Sequence, residues 1–153
     1  MDEGYIKFNC EWNEESLDEA IEVNELSRWV SFLKKENLIG VYPDGIGFGN
    51  VSIRHADGFI ITGTQTGGLT ELNHDHYALV ENYDIKNNSI SCIGKTKASS
   101  ESLTHAAVYE VAPDCQAVVH VHSKYLWDKY LHKLPTTEEV AYGTPEMLSL
   151  IHI

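Results

Sequence analysis

The chain has 153 residues, of which 42% are hydrophobic and 22% charged, with a formal charge of −12. That length bounds one domain with a real core, and the composition excludes a disordered chain. The acid excess argues against a binder of nucleic-acid backbone, which needs a basic field to displace counterions; no apolar run nears the roughly 20 residues of a bilayer-spanning helix, and the acidic N-terminus does not read as a signal peptide.

Residues 1–13 read as irregular, with aromatics packing on the body. Ser16 and Glu19 form an S-x-x-E capping box. Leu17, Ile21, Leu26, Trp29, Val30 and Leu33 follow near a 3.6 period, which predicts a helix over 16–37. Lys34 and Lys35 complement its dipole, and Gly40 closes it. After a glycine-rich stretch, GNVSIR at 49–54 alternates as a strand. Asp57-Gly58 is a hairpin signal, with 59–62 returning. A loop at 63–68 and about one helical turn within 69–76 come next. Strands are predicted at 77–85 and 89–93, joined by an Asn87-Asn88 turn. A helix at 100–111, stopped by Pro113, leads into a strand at 117–122. A short amphipathic helix at 125–131 and the start of a strand at 140–142 complete the pattern. Hairpins mixed with helices point to the fold class α/β (α+β), as an α+β or a three-layer αβα domain around a mainly antiparallel sheet. Cys10, Cys92 and Cys115 are odd in number and show no C-x-x-C, so they are expected as reduced, inert thiols of a cytoplasmic protein.

His120 and His122 are the sharpest chemical signal. Residues i and i+2 of a strand share a face, so the two imidazoles would supply half of a tetrahedral zinc site. The same pair also fits two strand histidines without a metal. Glu101 falls in the first turn of a helix, where an acid suits the dipole. That helix runs through Pro113 into the histidine strand, so Glu101 is also a candidate acid/base or exchangeable metal ligand. Gly49-Asn50, Thr66-Gly67-Gly68 and Ser99-Ser100 suit anion cradles as well as ordinary turns and caps. None matches a P-loop or a dinucleotide fingerprint. His105 lies four residues after Glu101 on the same helix face and reads as a structural hydrogen-bond partner before a ligand. His55, His74, His76 and His132 read as surface residues. No nucleophile elbow is present.

Taken together and in order, GNVSIR at 49–54, IITGTQTGG at 60–68, KASSESLTHAAVY at 97–109, AVVHVHS at 117–123 and YGTPEM at 142–147 resemble the class II aldolase/adducin family. The resemblance implies that His120 and His122 are ligands of Zn2+ or another divalent metal, and that Glu101 is the catalytic acid/base. It implies a substrate phosphate held by Asn50, Thr66, Gly67, Ser99 and Ser100. The implied activity is retro-aldol cleavage of a small ketose 1-phosphate, in a homotetramer with the site between subunits. An epimerase, dehydratase or decarboxylase of the same family, or a non-catalytic adducin-like module, are the alternatives; the glutamate favours the aldolase branch. Family members carry a third zinc histidine further downstream, for which His152 follows YGTPEM too closely. Residues 1–147 are expected to form the family domain, incomplete at its C-terminal side. The tail LSLIHI at 148–153 is expected to be foreign, because one reading frame of a transposon end used in sequencing-library preparation encodes it.

Overall fold

The computed structural model describes residues 6–56, 58–141 and 144–152. Strands β1 (Asn9–Asn13), β4 (Asn50–His55), β5 (Gly58–Thr62), β6 (Tyr77–Asp84), β7 (Ser89–Ile93) and β8 (Ala117–His120) form one sheet in the order β1-β7-β6-β5-β4-β8. Every pairing is antiparallel except β1 with β7. A separate hairpin joins β2 (Gly40–Val41) to β3 (Gly47–Phe48).

One face of the sheet is covered by helix α1 (Asn24–Lys35), whose Leu26, Val30 and Leu33 pack with Val51, Ile60 and Tyr77. The other face is covered by α2 (Ser102–Val111), whose Leu103, Ala106 and Tyr109 pack with Phe59, Ile61, Ala78 and Val80. Two short helices follow, α3 (Lys124–Tyr130) and α4 (Pro145–Ser149). Leu148 of α4 is buried in the cluster on the α2 face. The expected three-layer arrangement around a mainly antiparallel sheet is therefore present. No helix among the described residues is long and apolar enough to cross a membrane.

The structure corrects several local expectations. The first helix begins at Asn24 and not at Ser16, with no side-chain cap at Val23. Asp18 explains this: its Oδ1 accepts from Ala20 N at 2.9 Å and its carbonyl from Ile21 N at 2.9 Å, a local turn that competes with helix. Leu17, Ile21 and Val23 are still buried, as anchors of an irregular segment. Residues 9–13 are a strand, not irregular chain, held parallel to β7 from Asn9↔Ser89 to Asn13↔Ile93. The turn expected within 69–76 is a 3-10 turn at His74–His76 capped by Asn73, with a second 3-10 turn at Thr66–Gly68. Helix α2 starts at Ser102 and strand β8 stops at His120, so His122 lies past the strand's end. At the strand expected over 140–142, Val140 and Ala141 are not in a strand, and Tyr142 lies outside the described residues, as does Asp57 of the expected turn.

Candidate active site

A cavity of about 350 Å³ opens where β4 begins, β5 and β8 end, and α2 starts. Its size suits a small metabolite. Asn50, Thr66, Gly67, Ser99, Ser100, Glu101, His120 and His122 all line its wall. The fold thus brings these eight residues, read from separate stretches of the sequence, to one place, whereas Gly68 and His105 are not in its wall.

Each arrives for a local reason. β4 alternates, so Asn50 and Ser52 face α2 while Val51 packs on the α1 face. His120 sits directly across from Asn50 in the β4–β8 register. His122 is held beyond the strand by its backbone N–H, which donates to Leu38 O at 2.9 Å. The rings meet with Nε2 atoms 3.2 Å apart. Tyr42 Oη lies 2.7 Å from His122 Nδ1, and Asn50 Nδ2 lies 3.4 Å from His120 Nδ1.

Glu101 occupies the N-cap position of α2 and is 8% exposed. Its Oε2 accepts from the Thr104 hydroxyl at 2.6 Å, and its backbone N–H donates to Ser99 Oγ at 3.4 Å. The loop leaving β5 makes the opposite wall. Gln65 adopts the left-handed conformation (φ 60°) that launches the Thr66–Gly68 turn. A first side-chain carbon on Gly67 would come within 2.2 Å of Gly40 O, so only glycine lets the loop lie against the β2–β3 hairpin. Thr66 Oγ1 donates to Gly63 O at 2.8 Å, which fixes the turn.

Several contributors were not read from the sequence. Lys34, from the last turn of α1, donates to Thr66 O at 3.3 Å and to Leu69 O. Its burial lowers the ammonium's pKa, and it sets a cation behind the loop despite the chain's negative charge. Tyr42 and Thr104 are two more. Beneath the cavity runs a buried polar chain. His105 Nε2 donates to Asn50 Oδ1 at 2.6 Å, Ser52 Oγ lies 2.6 Å from His105 Nδ1, and Tyr109 Oη lies 2.8 Å from Ser52 Oγ. His105 is 0% exposed. Burial, with the charge of His120 second, pulls its pKa down to about 3, so it is a neutral imidazole. The structural role expected of His105 is what these contacts describe. Elsewhere, Cys10 and Cys92 face each other as thiols at 3.6 Å.

The imidazole pair fits a metal as two ligands of one ion: their 3.2 Å separation is close to the roughly 3.3–3.4 Å between two nitrogens bonded at about 2.0–2.1 Å to a tetrahedral ion. No group of three or more His, Cys, Asp or Glu among the described residues forms a metal-holding set, and Glu101 does not make a third with the pair.

Fold and cavity together define an α/β domain with an acid, an imidazole pair and a glycine-rich cradle at its strand ends. The chain belongs to the class II aldolase and adducin N-terminal domain family, whose model matches residues 44–138. It is 34% identical over 83 residues to the 3-oxo-tetronate 4-phosphate decarboxylase of Haemophilus influenzae, a match covering 52% of this chain and 35% of that protein. It resembles the crystal structure of YgbL from Klebsiella pneumoniae, given as a candidate aldolase, epimerase or decarboxylase, with TM-score 0.52 and 27% identity over 68% of this chain and 45% of that one. YgbL from Escherichia coli shares the fold, with TM-score 0.53 and 24% identity over 76% of this chain and 51% of that one. The chain thus spans about a third to a half of the length of the relatives it matches.

Proposed function

We propose that this chain carries the core of a divalent-metal-dependent carbon–carbon lyase acting on a small phosphorylated carbonyl compound, with decarboxylation of a phosphorylated 3-oxo acid as the reaction. The observation that carries it is the convergence of Glu101, the His120–His122 pair and the 63–67 and 99–100 backbone on one cavity of metabolite size. The choice of decarboxylation over the retro-aldol cleavage expected from the sequence rests on the named activity of the Haemophilus relative.

The two reactions share their electron flow. A carbon–carbon bond one carbon removed from a carbonyl breaks, its electron pair moves toward the carbonyl oxygen, and the resulting enol is protonated at carbon. A divalent ion held by His120 and His122 would supply positive charge beside that oxygen. Glu101 delivers the proton to carbon, and in the retro-aldol direction it accepts the hydroxyl proton. Thr104 holds one carboxyl oxygen at 2.6 Å and so aims the other at the cavity. The substrate phosphate lies among Asn50, the backbone N–H groups of Thr66 and Gly67, and the hydroxyls of Ser99 and Ser100. Lys34 adds positive potential through the carbonyls it holds, which orient the turn's N–H groups.

The test is an assay of the chain with Zn2+ or Mn2+ against a phosphorylated 3-oxo acid, followed by CO2 release, and against a ketose 1-phosphate, followed by aldehyde release. Release of CO2 that drops at least about 100-fold in Glu101→Gln supports the reading. Aldehyde release alone restores the retro-aldol assignment. Cleavage of neither substrate by metal-loaded protein, or full activity in Glu101→Gln, overturns the lyase and leaves the adducin-like module.

A further inference from the structure

Two imidazoles near the cavity are joined by one amide. Asn50 Oδ1 faces His105 Nε2 at 2.6 Å, and Asn50 Nδ2 faces His120 Nδ1 at 3.4 Å. An oxygen only accepts and an amide NH2 only donates. As the structure stands, His105 therefore carries its proton on Nε2. When neutral, His120 accepts at Nδ1 and carries its proton on Nε2, the atom that faces His122. The hydrogen bonds then run in one direction: Tyr109 to Ser52, Ser52 to His105, His105 to Asn50, Asn50 to His120, His120 to His122, His122 to Tyr42.

That arrangement cannot ligate a metal through both Nε2 atoms, because His120 Nε2 holds a proton. Metal ligation needs His120 in its other tautomer, with the proton on Nδ1 and an acceptor opposite. Turning the Asn50 amide by 180° provides it with almost no change of shape. The turned amide then presents NH2 to His105 Nε2, which must become an acceptor and move its own proton to Nδ1, toward Ser52 Oγ. With both rings neutral, any other combination sets two donors or two acceptors against each other, at the buried His105 contact or at the part-buried His120 contact.

The geometry points to His105 as a positioning residue whose tautomer is locked to that of His120 through Asn50, so that the two imidazoles switch together between a metal-free and a metal-competent state. Burial keeps His105 neutral, so it always has one donor and one acceptor nitrogen and cannot satisfy both states at once. Ser52 completes the device: its hydroxyl donates to His105 Nδ1 in one state and accepts from it in the other. The inference rests on the proposed metal role of His120 and His122 for its purpose, but the coupling itself is a property of the metal-free chain.

The experiment uses the whole chain labelled with 15N-histidine and long-range 1H–15N spectra, which report the tautomer of each ring. In the metal-free wild type, His105 and His120 are expected to share the Nε2–H form, and both are expected to move to Nδ1–H on saturation with Zn2+. In Asn50→Asp the carboxylate accepts on both sides, so His120 holds Nδ1–H without metal while His105 keeps a proton on Nε2. Ser52→Ala removes the acceptor that His105 Nδ1–H needs and is expected to lower Zn2+ affinity about tenfold in the wild-type background. In the Asn50→Asp background the same change is expected to cost less than about twofold, because His120 no longer depends on His105. Equal losses in both backgrounds would reduce Ser52 to a packing role and overturn the coupling. So would His105 retaining Nε2–H while His120 binds zinc, or the two rings holding opposite tautomers in the metal-free wild type. If the chain binds no Zn2+, the metal part of the proposed function fails, and the metal-free comparison of wild type with Asn50→Asp still decides the coupling.

Discussion

Strand β4 shows two kinds of interior within six residues. Toward α1 it turns Val51 and Ile53, which join an apolar cluster closed by Leu26, Val30 and Leu33. Toward α2 it turns Asn50 and Ser52, which join a hydrogen-bonded chain through His105 and Tyr109. The first face is held by area removed from water, which is non-directional and tolerant of chemistry. The second is held by matched donors and acceptors, which fix ring orientations and protonation but give little net stability. Within β4 an apolar face and a hydrogen-bonded, chemical face are thus back to back, although the rest of the α2 side is closed by its own apolar cluster of Phe59, Ile61, Val80 and Leu103, and substitutions on the two faces of β4 should leave different signatures.

The largest effect is expected at the chemical face. Glu101→Gln should lower turnover of the substrate by about 100- to 10,000-fold, in line with loss of a positioned proton donor, while leaving thermal stability within about 1 kcal/mol. Steady-state kinetics beside calorimetry check it. A comparable fall in stability would mean that Glu101 serves its helix before any chemistry.

Leu26→Ala probes the other face. Leu26 is 1% exposed, and its loss should cost about 2–5 kcal/mol in denaturant titrations. Metal affinity per folded molecule should stay within about twofold. A tenfold change in affinity would show that the α1 face reaches the site, and the separation would fail.

How much of this was visible beforehand follows the same division. The hairpin strands could be read because apolar alternation and turn residues are local signals, and the Glu101 and histidine motifs because their spacing is local too. β1 escaped because NCEWN is short and half-buried, and it gains its place from pairing with a strand 80 residues later. The start of α1 was misplaced because the Asp18 turn outcompetes a capping box with equally good local chemistry. The buried chain was not legible. It depends on the β4–β8 register that sets Asn50 opposite His120, and on which turn of α2 lies over Ser52. Tyr42 and Lys34 act through contacts 80 and 32 residues away in sequence, for which no local pattern exists.

The pH dependence of stability gives the next measure. His105 has its pKa lowered from 6.5 to about 3 in the folded chain, so between those values the unfolded chain binds the extra proton. Its contribution is complete above pH 6.5 and is lost as pH falls toward 3, at up to about 1.4 kcal/mol per pH unit. His105→Gln removes this component. The stability gap between wild type and variant should therefore narrow as pH drops from about 7 to 4, measured by urea unfolding at each pH. Parallel curves would mean that His105 is not the buried neutral imidazole on which the chemical face depends.

The smallest effect sharpens the comparison most, because it removes one atom. Tyr42→Phe keeps the ring against Phe48, whose centroid lies 4.5 Å away, and deletes the hydroxyl 2.7 Å from His122 Nδ1. In the proposed tautomers that hydroxyl accepts the Nδ1 proton and leaves His122 Nε2 as the lone-pair nitrogen. Its loss should weaken Zn2+ binding about tenfold, with stability changed by less than about 1 kcal/mol. Tyr42 acts on His122, whereas Ser52 acts on His120 through His105 and Asn50. The two losses should therefore multiply in the Tyr42→Phe, Ser52→Ala double variant, to about 100-fold. A double variant no worse than either single one would mean that both act on one ring, and that the two ends of the hydrogen-bonded chain are not independent supports of the imidazole pair.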